Sequence, residues 1–177
     1  MRLFIAVELP RSFKREVAVA QGLLKTMSAT RRFVKESNFH ITLHFIGESD
    51  NLTGAVSAMA KAVQGIRPFE LHLGRYGSFE KSSSRASFLH VLGELDELRA
   101  LYESLESALY DEGFSRFVKR YTPHITLGRS VVHDELAEAE LKEYAPNASM
   151  QVREIVLFES VREGGKTVYS PLHRQRF

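Results

Sequence analysis

Two copies of a histidine-x-threonine triplet stand out in this 177-residue chain, because their residue types and spacing fit chemistry. They are His40-Ile41-Thr42 and His124-Ile125-Thr126, and a leucine follows each of them. On a β-strand, residues i and i+2 point to the same face, so each triplet presents an imidazole beside a hydroxyl, with isoleucine behind them. Two such strands facing each other are expected to gather two imidazoles and two hydroxyls in one cleft.

This set of groups suits the cleavage of a phosphodiester. The reaction needs a base for the nucleophile, an acid for the departing oxygen and hydrogen-bond donors for the non-bridging oxygens. Histidine titrates near neutrality, so one imidazole can start neutral and the other protonated, while Thr42 and Thr126 donate to the phosphate. One such triplet is a weak pattern that is usually structural, but two copies sharing isoleucine and leucine are specific. No metal is required.

Three other residues near the triplets have two interpretations each. Arg129, three positions after Thr126, is either a bidentate phosphate ligand or a surface arginine. His44 is expected on the same strand face as His40, at the border of the cleft. Those two histidines also suggest zinc, but neither half supplies an Asp, Glu or third His at matching spacing. Tyr121 is expected to fill core space rather than contact a base.

Composition narrows the class of protein. The formal net charge is +2 and the chain has no cysteine, which excludes disulfides, a thiolate nucleophile and Cys-ligated metal sites. Absence of cysteine fits a reducing cytoplasm. No apolar run is long enough to span a bilayer, so no membrane association is expected. Nothing resembles the long basic arm of a dedicated nucleic-acid binder.

The elements that must position the triplets repeat along the chain. At an offset of 84 positions, from 40 to 124, Phe4 falls on Phe88 and the two triplets coincide. Apolar periodicity predicts strands at 3–9, 33–34 with 39–46, 69–76, 87–92, 121–127, 152–159 and 167–169. It predicts helices over 12–27, from Asp50 or Thr53 to about 63, over 94–112 and over 134–144. Polar residues 80–85 are expected to form a loop.

This repetition predicts a single α+β domain over residues 1–177, built from two lobes related by a pseudo-two-fold axis. Each lobe is expected to hold an antiparallel sheet with helices packed outside and the active site in the cleft between the lobes. The first repeat is expected over about 1–80 and the second over about 85–177. The C-terminal strands are the segment expected to cross between lobes.

The flanks of both triplets carry a resemblance to a known family. Residues 38–47, Asn-Phe-His-Ile-Thr-Leu-His-Phe-Ile-Gly, and 122–129, Thr-Pro-His-Ile-Thr-Leu-Gly-Arg, resemble the paired motifs of the 2H phosphoesterase superfamily. The opening at 2–7 and the ending at 157–169 are similar too. The nearest branch is the RNA 2′,3′-cyclic phosphodiesterase group, also called LigT-like or 2′-5′ RNA ligase-like. Phe33, where the family commonly has tryptophan, departs from the pattern and leaves substrate preference open.

The resemblance implies an enzyme that converts 2′,3′-cyclic phosphate ends of RNA into 2′-phosphates, with no cofactor or metal and possible reverse 2′-5′ ligation. It implies His40 as general acid and His124 as general base, although the opposite assignment stays open. It implies phosphate binding by Thr42, Thr126 and Arg129. A cytoplasmic monomer acting on RNA or a nucleotide is expected. The alternatives are a binding module without turnover and a phosphodiesterase for another substrate, such as 2′-5′ oligonucleotides.

Overall fold

The computed structural model describes residues 1–29, 32–81, 84–116 and 120–177. In these ranges the chain forms two four-stranded antiparallel sheets and four α-helices, which confirms the predicted α+β class. The strands are Arg2–Glu8 (β1), His40–Glu48 (β2), Phe69–Lys81 (β3), Ser84–Gly93 (β4), His124–Arg129 (β5), Ser149–Val152 (β6), Glu154–Glu163 (β7) and Lys166–Arg176 (β8). The helices are Arg11–Thr26 (α1), Leu52–Ala62 (α2), Leu95–Asp111 (α3) and Glu135–Glu143 (α4), and a 3₁₀ turn spans Glu36–Asn38.

Strand order shows that the two halves of the chain exchange strands. The first sheet has the order β2-β1-β7-β8 and the second has the order β5-β4-β3-β6. The C-terminal hairpin β7–β8 therefore joins the N-terminal strands, while β3 pairs with β4 in the second sheet. Each His-x-Thr strand lies at an edge of its own sheet, so the two sheets are not simply the two halves of the sequence.

The predicted loop at 80–85 is wrong in extent. β3 runs to Lys81 and β4 begins at Ser84, and these two residues are paired. Residues 82 and 83 of that prediction lie outside the described part of the chain. Polar side chains do not exclude a strand, because the backbone hydrogen bonds of a hairpin are independent of side-chain polarity.

Helix starts are fixed by side-chain caps at two places. The Asn51 side-chain oxygen accepts the backbone N–H of Gly54 at 2.9 Å, so α2 begins at Leu52, between the two predicted starts. Asp134 caps α4 in the same way, with 2.8 Å to the N–H of Ala137. Both caps satisfy donors that have no partner inside the helix.

Alternation along β1 gives the first sheet two different faces. Leu3, Ile5 and Val7 point into the main core, which the helices cover from outside. Phe4 and Ala6 point to the opposite face, where they form a smaller apolar cluster with Val156, Phe158 and Tyr169. We call this opposite face, and its counterpart on the second sheet, the cleft face.

In the described part of the chain no helix is long and apolar enough to cross a membrane.

A β-bulge occurs at the same place in both His-x-Thr strands. Pairing passes from Thr42 to His44 opposite consecutive residues of β1, so Leu43 is the extra residue. It passes from Thr126 to Gly128 opposite consecutive residues of β4, so Leu127 is the extra residue there. A bulge shifts the alternation of side chains by one position and bends the strand.

The registers also correct the repeat offset for the first strand of each half. Ala6 lies opposite Thr42, whereas Phe88 lies opposite Thr126. The triplets keep the offset of 84, but β1 and β4 are related by 82, from 6 to 88. The predicted equivalence of Phe4 with Phe88 is therefore wrong. The connection between the two strands differs in length by two residues between the halves, and a shift of two residues keeps each side chain on the same face of its strand. The sequence pattern therefore does not reveal the shift.

Candidate active site

The two His-x-Thr strands lie against each other at the facing edges of the two sheets. A segment before β2 joins them, since Phe33 forms an antiparallel bridge with Gly128 and the Val34 N–H donates to the carbonyl of Leu127 at 2.9 Å. Buried Gln21 on α1 donates to the carbonyls of both Val34 and Leu127, at 2.7 and 2.8 Å. We call the line along which β2 and β5 meet the seam.

Each triplet histidine is anchored through the same ring nitrogen. His40 Nδ1 lies 2.7 Å from the carbonyl oxygen of Asn38, and His124 Nδ1 lies 2.7 Å from the carbonyl oxygen of Thr122. Because a carbonyl only accepts, Nδ1 carries the proton and donates in both rings. The Nε2 atoms of both rings are therefore left for proton transfer, and in His40 this atom lies 3.0 Å from the Thr42 hydroxyl.

Aromatic rings on the cleft face pack around both imidazoles. The His40 ring lies 5.0 Å from Phe4 and 5.2 Å from Tyr169, between ring centroids. The His124 ring lies 5.2 Å from both Phe79 and Phe88. Edge and tilted contacts of this kind hold a ring in one orientation without neutralising it.

Burial favours the neutral form of both imidazoles. It lowers the pKa of His40 to about 4, and the nearby charges of His124, Lys14 and Arg129 act in the same direction. Burial also lowers the pKa of His124, with further contributions from Arg129 and His90. A bound phosphate anion would favour the charged form of either ring.

The bulge at Leu127 decides where Arg129 lies. With strict alternation Arg129 would share a face with Ile125, but the extra residue returns it to the face of His124 and Thr126. Its charge acts to lower the pKa of His40, His124 and Tyr169. The Arg129 side chain is exposed, so its position is compatible with both interpretations from the sequence.

The matching bulge at Leu43 makes the prediction for His44 wrong. His44 pairs with Ile5 on the core face instead of sharing the face of His40, and it is 3% exposed. Its Nδ1 bonds the carboxylate of Glu106 on α3, also within the protein interior. In the described residues no group of three or more His, Cys, Asp or Glu is placed to hold a metal ion.

Tyr121 packs against the core, as expected, and also contacts a triplet strand. Its hydroxyl donates to the Thr42 carbonyl at 3.1 Å, and its ring stacks on Tyr102 at 4.1 Å with an interplanar angle of 5°. Burial raises the pKa of Tyr121, so the hydroxyl stays protonated as a donor. The segment before β5 is thereby tied to β2.

Sequence reasoning missed three residues of the cleft face. Tyr169 belongs to the C-terminal hairpin and reaches His40 only because β7–β8 joins the first sheet. Phe79 lies in the part of β3 that was predicted to be near a loop. His90 lies directly opposite His124 in the β4–β5 register. The alternating pattern of β4 was the one available signal for His90, since it places that residue on the face of Phe88.

Comparison with known proteins identifies the family of this chain. The chain is 27% identical to an "RNA 2′,3′-cyclic phosphodiesterase" of Thermotoga maritima over 100% of this chain and 96% of the relative. It is 30% identical to a protein of that name from Escherichia coli, over 98% of this chain and 94% of the relative. A crystal structure of E. coli LigT complexed with 3′-AMP superposes with a TM-score of 0.79 at 27% identity, covering 99% and 97% of the two chains. The sequence model of the 2′-5′ RNA ligase superfamily matches residues 10–164, and the chain therefore belongs to that superfamily.

Proposed function

We propose that this protein hydrolyses the 2′,3′-cyclic phosphate end of RNA to a 2′-phosphate. The observation that carries the proposal is the matched pair of imidazoles at the seam, each anchored through Nδ1 to a carbonyl two residues earlier. The names of the relatives and the 3′-AMP bound to E. coli LigT support this substrate class. Membership of the family makes an enzyme of this type the expected one.

The cyclic phosphate is proposed to bind between His40 and His124. Thr42 and Thr126 donate their hydroxyl protons to its non-bridging oxygens, and Arg129 neutralises its charge through paired hydrogen bonds. These donors stabilise the negative charge that builds up on the non-bridging oxygens as the oxygen of the attacking water approaches phosphorus. Both threonines share a face with their histidines, so the hydroxyls and the imidazoles address one group.

Proton transfer is assigned to the two Nε2 atoms. His124 takes a proton from water as its oxygen forms a bond to phosphorus, and protonated His40 gives its proton to the 3′ oxygen as that bond breaks. The products are a 2′-phosphate and a 3′-hydroxyl, and the pair ends with the proton moved from His40 to His124. Phosphate binding favours the protonated acid, because the anion offsets the burial that lowers its pKa in the empty site.

One substrate panel tests the proposal. The protein is incubated in EDTA with the four nucleoside 2′,3′-cyclic phosphates, a cyclic-phosphate-ended oligonucleotide and a 2′-5′ oligonucleotide, and the products are assigned as 2′ or 3′ phosphates. We expect 2′-phosphates from the cyclic substrates and no loss of rate in EDTA. Binding without turnover of any cyclic substrate would show a binding module instead, and cleavage of the 2′-5′ substrate alone would reassign the substrate.

The acting unit is proposed to be a single cytoplasmic chain of one bilobal domain, residues 1–177. Both histidines, both threonines and Arg129 come from one chain, so the site needs no second copy. The strand exchange between the sheets supports a single cooperative domain, because neither sheet is complete without strands from both halves of the sequence. Light scattering across the concentrations used in the assay tests the monomer.

A further inference from the structure

The pseudo-two-fold symmetry of the site fails one strand away from the seam. On the first sheet the residue directly opposite His40 is Glu8 of β1. On the second sheet the residue directly opposite His124 is His90 of β4. Directly opposed residues of an antiparallel pair are close neighbours on the same face. The two triplet histidines are therefore flanked by side chains of different charge.

The residue beside His40, Glu8, belongs to an ion cluster in which two arginines pair with two glutamates. Arg174 Nη1 lies 2.6 Å from Glu8 and 2.8 Å from Glu154, and Arg176 lies 3.6 Å from Glu154. The two arginines are thus already engaged by two carboxylates. With two arginines and two carboxylates the cluster carries no net charge, so its arginines are poor partners for a second phosphate.

The residue beside His124, His90, has an exposed imidazole whose ring position is constrained by its neighbours. The His90 ring packs edge-on to Phe88, with 5.0 Å between centroids. It lies across β3 where Gly74 and Gly77 leave room, because a Cβ on Gly77 would come 2.6 Å from His90 Nε2 and one on Gly74 would come 2.8 Å from His90 Cβ. Any larger residue at 77 would displace the ring. His90 is exposed, although its ring position is constrained from two sides.

We propose that His90 binds the 5′-phosphate of the nucleotide whose 2′,3′-cyclic phosphate is hydrolysed, which gives the nearly symmetric cleft a single substrate direction. The inference rests on the proposed function. In RNA this 5′-phosphate is the next anionic group along the chain from the reacting phosphorus. An imidazole donates a hydrogen bond to phosphate oxygen, and the anion favours its protonated form.

Position supports this assignment over a direct part in the reaction. β4 lies one strand further from the seam than β5, a separation of about 4.8 Å in a sheet. The His90 ring reaches over β3, so it is displaced further still from the cyclic phosphate held between His40 and His124, but it stays on the same face. Arg129 lies on that face of the second sheet as well, whereas the charges of Lys14 and Arg2 act on His40 and Tyr169 of the first sheet.

Two small substrates that differ only in a 5′-phosphate provide the test. Adenosine 2′,3′-cyclic phosphate and its 5′-phosphorylated form are compared by kcat/KM for the wild type, His90→Ala, Gly77→Ala and His72→Ala. His72 lies on neighbouring β3 and pairs with Glu70, so it is a matched histidine control. The wild type and His72→Ala should prefer the 5′-phosphorylated substrate about tenfold, the effect of one charge-assisted hydrogen bond.

His90→Ala should remove this preference, mainly through KM, while still hydrolysing the substrate without a 5′-phosphate. Gly77→Ala should weaken the preference in the same direction, and because its methyl also meets the Phe88 ring beside His124, it should lower the rate on both substrates as well. A wild type that does not distinguish the two substrates, or a His90→Ala variant that keeps the preference, would overturn the inference and leave the proposed function intact. Failure of the wild type to hydrolyse either substrate would overturn the proposed function itself.

Discussion

Arg129 and Thr126 lie on the same face of β5 although they are three positions apart, an odd spacing that regular alternation would put on opposite faces. The bulge at Leu127 produces this relationship. The equivalent bulge at Leu43 turns His44 away from the cleft at the corresponding place in β2. One irregularity, present twice, therefore both completes the candidate site and removes a histidine from it.

Replacing Arg129 by alanine is expected to lower kcat/KM for a cyclic phosphate roughly tenfold to a hundredfold. This is the loss of about 1.5–3 kcal/mol from a hydrogen bond to a charged group. Arg129→Lys should recover only part of the rate, because an ammonium cannot donate in the paired geometry of a guanidinium. Steady-state kinetics measure both variants, with Arg15→Ala on the exposed side of α1 as the control. Equal rates for Arg129→Ala and the wild type would place Arg129 outside the phosphate site.

The same substitution has a second, independent readout in histidine titration. Because the charge of Arg129 lowers the pKa of both His40 and His124, Arg129→Ala should raise both values. NMR titration of the imidazole C–H signals follows them directly. Addition of phosphate to the wild type should also raise them. A pKa for His40 that stays near 6.5 in the free wild-type protein would contradict the burial described for its ring.

Acid should destabilise the fold partly through His40. The folded-state pKa is about 4 and the reference value is 6.5, so the unfolded chain binds the proton more readily within that window. This contribution to stability is present above about pH 6.5 and is lost as the pH falls towards 4. Urea unfolding at pH 7, 6 and 5 should show a smaller loss of stability for His40→Gln than for the wild type. Equal pH dependence of the two proteins would contradict this linkage.

His44 is expected to stabilise the fold rather than take part in proton transfer. His44→Ala removes the hydrogen bond to the Glu106 carboxylate, which should cost about 1.5–3 kcal/mol for a bond to a charged group. Chemical denaturation measures the loss, and kcat at a temperature where the variant is folded should stay within a few-fold of the wild type. A stable variant with abolished turnover would reverse this assignment and return His44 to the reaction.

Gln21 holds α1 to the segment before β2 and to β5. Gln21→Leu removes both hydrogen bonds, but the Leu127 carbonyl keeps the Val34 N–H, so the expected cost is that of one lost buried partner, about 1–3 kcal/mol. The free energy of unfolding should fall accordingly, whereas the same change at exposed Gln64 should have little effect. If both variants unfold at the same denaturant concentration, the two hydrogen bonds contribute nothing to stability.

The sequence was sufficient for those parts of the site that depend on local pattern. His40 with Thr42, and His124 with Thr126, are two residues apart on strands, so each pair shares a face before either bulge begins. The class of fold follows in the same way, because long amphipathic helices and short alternating strands leave distinct periodicities. The helix over Leu95–Asp111 was predicted within one residue at each end.

The predictions that failed concern features that depend on pairing between segments distant in the sequence. No local pattern marks Leu43 or Leu127 as extra residues, since a bulge exists only relative to the partner strand. No local sequence pattern shows that β7–β8 pairs with β1 either, and this pairing is what brings Tyr169 to His40. The outer strand β8 has no fully buried residue and carries few apolar ones, so only residues 167–169 of Lys166–Arg176 were predicted.

The most direct test of the two-histidine account is single-turnover hydrolysis of adenosine 2′,3′-cyclic phosphate in EDTA by the wild type, His40→Ala, His124→Ala and the double variant. Circular dichroism confirms that each variant is folded. The account predicts 2′-AMP from the wild type, a loss of at least about a hundredfold in each single variant, and little further loss in the double variant, because acid and base act as a unit. Hydrolysis at the wild-type rate by the double variant would contradict it.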